Sequence, residues 1–207
     1  MGKEYFMTRI MPVLFFLLII LPSPAFGEDP LHQLKRHVEQ ALATLKDPKY
    51  HNSSEKELQR SKIWEIIQDI FDLEEMSKRT LAQNWNRFTP QEKKEFVNVF
   101  GEFLGDNYIR KIQSGFKEEK VVYLEQEMLT DSKAMVKTKI IRETTEIPVN
   151  YSMLKEKNTW RVYDVIIEGV SLVANYRSQF SGILMKESPA RLIEMIRKKI
   201  KQQKEEG

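Results

Sequence analysis

The sequence predicts an α+β domain: N-terminal helices, a curved antiparallel sheet of about four strands, and two C-terminal helices. Three observations predict it. Apolar residues recur at helical spacing from Leu31 to Ile112, the period falls to two after Gly115, and helical spacing returns after Gly169.

The first helix carries Leu31, Leu34, Val38, Ala41, Leu42 and Leu45 as one stripe, and Asp47-Pro48 ends it. Ser54 with Glu57 three residues on reads as a capping box for a second helix, which would bury Leu58, Ile63, Ile66, Ile67 and Ile70. "FDLEEMSKRTLAQNW" (Phe71 to Trp85) continues as a short third helix after a bend near Asp72. Thr89 caps the fourth, Pro90 takes its first position and Glu92 closes the box. One face of that helix carries Phe96, Phe100, Phe103, Leu104, Tyr108 and Ile112, an unusual density of rings.

Strands are expected near Val121–Met128, Ala134–Ile141, Ile147–Lys155 and Thr159–Glu168. In the second, Ala134, Val136, Thr138 and Ile140 alternate with polar or half-polar neighbours; in the third, Ile147, Val149, Tyr151 and Met153 share a face. The stretch Val165 to Phe180 changes rhythm halfway: branched apolar residues on both strand faces, then Leu172, Tyr176, Phe180 and Ile183 at helical spacing. Something apolar must cover each face. The last helix starts at Ser188-Pro189 and runs through Leu192, Ile193, Ile196 and Ile200.

Residues 1–27 read as a cleaved secretory signal peptide. Lys3 and Arg9 precede the apolar run Ile10 to Leu21, and Ala25 and Gly27 supply the small-x-small pattern, so cleavage is expected between Gly27 and Glu28. The run is too short for the ~20 residues that span a bilayer. Without cysteine there is no lipid-anchoring box and no disulfide. Residues 28–207 then form one domain with a basic helical tail, large enough at about 180 residues to bury its own core.

The full chain has 33 basic and 30 acidic side chains; without Lys3, Arg9 and Glu4 it keeps 31 and 29, a formal charge of +2. That balance argues against nucleic acid as a partner.

A search for catalytic constellations yields little. There is no thiol, no Gly-x-Ser-x-Gly elbow and no phosphate-cradling glycine loop. His32, His37 and His51 read as surface residues; His32 and His37, five apart, do not share a metal-binding face. Asp164, among Tyr163, Val165 and Ile166, has two readings. It is a buried general base with a raised pKa, or an acid tied to backbone amides, Arg161 or Arg177 at the strand-to-helix corner. The tail residues Arg197, Lys198, Lys199 and Lys201 either complement the helix dipole or attract anionic headgroups or an acidic partner.

"FDLEEMSKRTLAQNW", "TPQEKKEFVNVFGEFLGDNYIRKI", "VNYSML" and above all "WRVYDVIIEGVSLVANYRSQF" (Trp160 to Phe180) resemble the MlaC family over about Leu31 to Ile200. These are periplasmic phospholipid-binding proteins of the lipid-asymmetry (Mla) system, also described as toluene-tolerance auxiliary components of an ABC transporter. "LAQNW" stands where a glycine-containing version is commoner.

The resemblance implies a cone-like fold related to cystatin and nuclear-transport-factor shapes, with a deep apolar cavity. It implies a non-enzymatic periplasmic phospholipid carrier, with phospholipid as cargo and no cofactor or metal. Implied partners are an inner-membrane MCE-domain subunit of an ABC transporter and an outer-membrane lipoprotein–porin complex, the carrier acting as a monomer. The expected cavity lining is Leu73, Met76, Leu81 and Trp85 from the third helix and Phe96, Phe100, Phe103, Leu104 and Tyr108 from the fourth. Val136, Val149, Tyr151, Val165 and Ile167 would line it from the sheet, and Val170, Leu172 and Tyr176 from the corner.

A lipid crossing water must hide its tails: at about 0.8 kcal/mol per CH₂, roughly 30 methylenes cost on the order of 20 kcal/mol to expose. The competing expectations are an isomerase- or hydrolase-like enzyme using Asp164, and a periplasmic interaction or chaperone module with an exposed groove.

Overall fold

The computed structural model describes residues 28–50, 52–117 and 119–205. The expected signal peptide, its cleavage site's leading side and His51 lie outside them. Among the described residues are six α-helices and a five-stranded antiparallel sheet.

Helix α1 (Pro30–Lys46) is started by Asp29, which accepts from the His32 N–H at 2.9 Å, with Pro30 where no donor is needed. Helix α2 (Lys56–Ile70) departs from expectation. A 3₁₀ turn over Ser53–Glu55 absorbs the anticipated capping box, Glu55 takes the cap position without a side-chain hydrogen bond, and Leu58 is exposed. The chain then bends at Phe71, and Asp72 caps α3 (Leu73–Leu81) by accepting from the Glu75 N–H at 2.8 Å.

Helix α3 stops four residues before Trp85. Ala82 adopts φ 48° and ψ −122°, and a 3₁₀ stretch over Ala82–Arg87 follows. Ala82 holds a positive φ, a backbone conformation in which a Cβ is unwelcome. Helix α4 (Pro90–Gly115) forms the expected capping box between Thr89 and Glu92.

Strands β1 (Lys120–Thr130), β2 (Lys133–Arg142), β3 (Thr145–Glu156) and β4 (Thr159–Ile167) form a meander in sequence order. A fifth strand, β5 (Val170–Ser171), was not anticipated; two residues carry too little alternation to register. The turn before it places Glu168 at φ 50° and Gly169 at φ 83°, the positive pair that a two-residue hairpin demands. Helices α5 (Leu172–Leu184) and α6 (Pro189–Glu205) complete the chain.

Three apolar clusters hold these elements. The first joins α3, α4, α5 and α6 around interlocked rings. Phe96 stacks on Phe100 at 5.4 Å, Phe180 meets both edge-on, and Tyr176 stands edge-on to Phe100 and Phe103. The second lies on the concave sheet face, where Ala134, Val136, Val149, Met153, Trp160, Val162 and Val165 meet Leu34 and Ile70. The third is small and aliphatic: Leu45, Ile63 and Ile109, with Leu42, Trp64, Ile67 and Phe116 against them.

One of the two faces greasy in sequence is thereby accounted for. Val165 and Ile167 join the sheet cluster, while Tyr163 packs toward the aromatic cluster under the Arg79 guanidinium, 4.0 Å from its ring centroid.

Two backbone positions give opposite predictions. Ala82→Gly should raise stability by about 1 kcal/mol by relieving the left-handed strain. Gly105→Ala should lower it by about 1–3 kcal/mol, because an added Cβ would sit 2.7 Å from the Trp64 ring between α2 and α4. Urea unfolding of both variants checks this.

Candidate functional site

Between the sheet cluster and the small aliphatic cluster the packing does not close. A cavity of about 420 Å³ opens there, walled by α1, α2, the C-terminal half of α4 and the concave face of the sheet. That volume lies in the range of small-molecule sites. Fifteen of its 21 lining residues are apolar. Helix α1 gives Leu34, Val38, Ala41, Leu42 and Leu45; α2 gives Ile63, Ile66, Ile67 and Ile70; Phe71 follows. Ile112, Phe116, Val121, Ile140 and Ile147 come from α4 and the strands.

The cavity has polarity along its length. Leu34, Ile63 and Ile70 are buried, whereas Ile112 is 45% exposed and Lys111 and Arg142 face solvent. The mouth is therefore at the C-terminal end of α4. Leaving its two tyrosines aside, three of the four charged or ionisable side chains on the wall gather there: Lys111, Glu119 and Arg142. Arg142 donates through Nε to Glu119 at 2.7 Å and through Nη2 to the Gly115 carbonyl at the end of α4. Burial pushes Glu119 up, but the Lys117 N–H and the Arg142 guanidinium outweigh it and hold the carboxyl below its usual range.

The fourth, His37, is buried rather than on the surface as the sequence suggested. Its Nδ1 lies 2.7 Å from the Gln33 carbonyl and its Nε2 2.8 Å from Asp69 Oδ2, so it links α1 to the end of α2. The hydrogen bond from His37, partly opposed by burial, holds Asp69 below the usual carboxylate range. Tyr151 stands on the sheet side of the wall, and burial pushes its phenol up to about 12. It stays neutral.

Of the lining expected from sequence, Tyr108 and Tyr151 stand on this cavity. Met76, Leu81, Phe96, Phe100, Phe103, Leu104 and Tyr176 fill the aromatic cluster, with Leu73 and Trp85 packed against it. Val136, Val149 and Val165 belong to the sheet cluster, Ile167 and Leu172 lie against it, and Val170 is exposed. Sequence reading assigned the aliphatic stripes of α1 and α2 to ordinary core. The signal that separates them is width: Val38, Ala41, Ile66 and Ile67 stay only partly buried although two neighbouring helices present them.

Asp164 is a structural acid. Its Oδ2 accepts from the Ser171 hydroxyl at 2.6 Å and its Oδ1 from the Val173 N–H at 3.1 Å, while Ser171 Oγ accepts from the Ala174 N–H at 2.9 Å. The pair caps α5. Arg161 and Arg177 turn elsewhere, to the Phe71 and Arg79 carbonyls. Among the described residues no three His, Asp or Glu side chains are grouped to hold a metal ion. No described helix is long and apolar enough to cross a membrane.

The family described as MlaC protein matches residues 35–198. The chain belongs to the MlaC family. That match runs from α1 into α6 and takes in every lining residue named above except Leu34. No curated protein matches the chain. Among solved structures, the chain is similar to a phospholipid-binding protein from Ralstonia solanacearum in complex with a phospholipid. The TM-score is 0.77 at 21% identity, covering 85% of this chain and 99% of that one. At that identity the likeness establishes a common fold.

Asp164→Asn, which keeps a carbonyl acceptor for the Val173 N–H, should stay within about 1 kcal/mol of wild type. Asp164→Ala should cost about 1–2 kcal/mol through the lost cap. Thermal unfolding of both variants measures the difference.

Proposed function

We propose that this chain is a soluble periplasmic phospholipid carrier rather than an enzyme. It would shuttle lipid between an outer-membrane lipoprotein–porin complex and the MCE-domain subunit of an inner-membrane ABC transporter, and so help maintain outer-membrane lipid asymmetry. The observation that carries this reading is the cavity itself. It is aliphatic along its length and charged at one solvent-facing end, the pattern of an amphiphile with tails inward and headgroup outward. Membership of the MlaC family and the lipid-bound relative of the same fold support it. The reading of residues 1–27 as an export signal supplies the compartment. Asp164, the strongest catalytic candidate in the sequence, is consumed by capping α5, which favours a carrier.

The transfer energetics suit the geometry. Tails held against Leu42, Ile66 and Ile67 lose little relative to a bilayer interior, since each methylene moves between two apolar surroundings. Exchange at a membrane or a partner then needs no chemical step.

Protein purified gently from a bacterial host should yield near-stoichiometric phospholipid on organic extraction and mass spectrometry. Recovering none would overturn the carrier reading. Ala41→Trp should leave the protein folded by circular dichroism but cut occupancy by about tenfold or more. Its ring displaces several methylenes from the mid-wall, each worth about 0.8 kcal/mol. A chaperone module with an open groove would keep its cargo in that variant.

A further inference from the structure

The charges at the cavity mouth are not equivalent. Arg142 and Glu119 neutralise each other, and Arg142 is further committed to the last carbonyl of α4. Close by, Lys117 pairs with Glu143 at 3.4 Å and Arg110 with Asp106 at 2.7 Å. Lys120 precedes the lining residue Val121 in a strand, so alternation sends it to the opposite face. Lys111 differs from all of these. It lines the cavity, it is exposed, and among the described residues its contact is the face of Tyr108, 5.9 Å away, with no carboxylate beside it. A cation held only by a ring face is free to take an anion at little cost. The neighbouring Ile112 and Phe116 extend the aliphatic wall to the same point.

We infer that Lys111 is the phosphodiester-binding residue of this site, its ammonium meeting the phosphate of a glycerophospholipid whose tails fill the cavity. The inference rests on the carrier reading and adds a selection rule to it. One unpaired cation matches the single negative charge common to phosphodiester lipids. No second unpaired charge on the described wall reads the alcohol beyond the phosphate. The site therefore favours phospholipids over uncharged diacylglycerols and does not separate ethanolamine from glycerol headgroups. Lys111 acts by binding, with its stem lying along the apolar rim and its head in water.

The test uses lipid-stripped protein loaded from vesicles holding equal amounts of dioleoyl phosphatidylglycerol, dioleoyl phosphatidylethanolamine and dioleoylglycerol, with bound lipids quantified by mass spectrometry. Wild type should take each phospholipid over dioleoylglycerol by about fivefold, the scale of one exposed ion pair, and the two phospholipids about equally. Lys111→Met should bring all three lipids to similar levels, Lys111→Arg should keep the preference, and Lys133→Met on the distant β1–β2 turn should behave as wild type. Retention of the wild-type preference in Lys111→Met overturns the assignment while leaving the carrier intact. Failure of wild type to load any lipid sinks the carrier reading itself. Excess inorganic phosphate, against chloride at matched ionic strength, should not change the preference; its abolition would assign Lys111 to free phosphate and overturn the lipid assignment.

Discussion

The architecture depends on how the open edge of β4 is closed. A bare strand edge presents unpaired donors and acceptors, and β5 covers only its last residues, pairing with Ile166 and Ile167. The rest is closed by pieces that are not strands. Gln33 of α1 reaches in with its amide: Nε2 donates to the Trp160 carbonyl at 2.8 Å and Oε1 accepts from the Trp160 N–H at 2.9 Å, as a neighbouring strand residue would. Two residues on, the Asp72 N–H donates to the Val162 carbonyl at 2.8 Å, and Phe71 forms a bridge there. Two further on, Asp164 turns its own side chain to the start of α5. The edge thus fixes one end of α1, the α2–α3 joint and the α5 corner. The positions of the cavity walls follow from those anchors.

Beyond Glu39, whose carboxylate accepts from the Tyr123 hydroxyl at 3.1 Å, α1 leaves the sheet. Leu31, Leu34 and Val38 belong to the sheet cluster, whereas Leu42 and Leu45 belong with α2 and α4. The helix crosses from one cluster to the other, and the gap under the crossing is the cavity. His37 and Asp69 keep α1 and α2 together over that gap. The opposite half of the domain is built differently. There the rings of α4 and α5 interlock edge to face, an arrangement that rewards close fit, and α6 is held along α4 by the Arg197–Glu95 and Lys204–Glu102 pairs.

Much of this was legible in the sequence, and the failures have physical causes. Periodicity located every helix longer than two turns and four strands, because burial of one face enforces it. The Thr89–Glu92 box was readable because both partners are local. Gln33, Gln59 and His37 were not. Each is a polar residue buried against backbone or side chains distant in sequence, and a side chain whose partner lies 127 positions away leaves no local trace. The cavity was anticipated, and of the α4 rings expected to line it Tyr108 stands on it, while Phe96, Phe100 and Phe103 pack on one another and on α5. Aromatic density signals apolar burial without saying whether the burial is against protein or against a vacancy. The structure distinguishes the two: rings at 5.4–5.8 Å from one another leave no room between them.

Aliphatic walls suit a refillable hollow for a related reason. A sealed void of about 420 Å³, at roughly 24 cal/mol per Å³, would cost on the order of 10 kcal/mol. That equals the whole stability of a typical domain. A fold cannot hold such a space closed and empty, so it must admit water at a polar end or apolar matter along its length. The charged mouth at Lys111, Glu119 and Arg142 provides the first and the branched side chains of α1 and α2 the second. Occupancy by an amphiphile would satisfy both at once, making it a stabilising ligand of the folded state whose effect grows with the logarithm of its concentration over Kd.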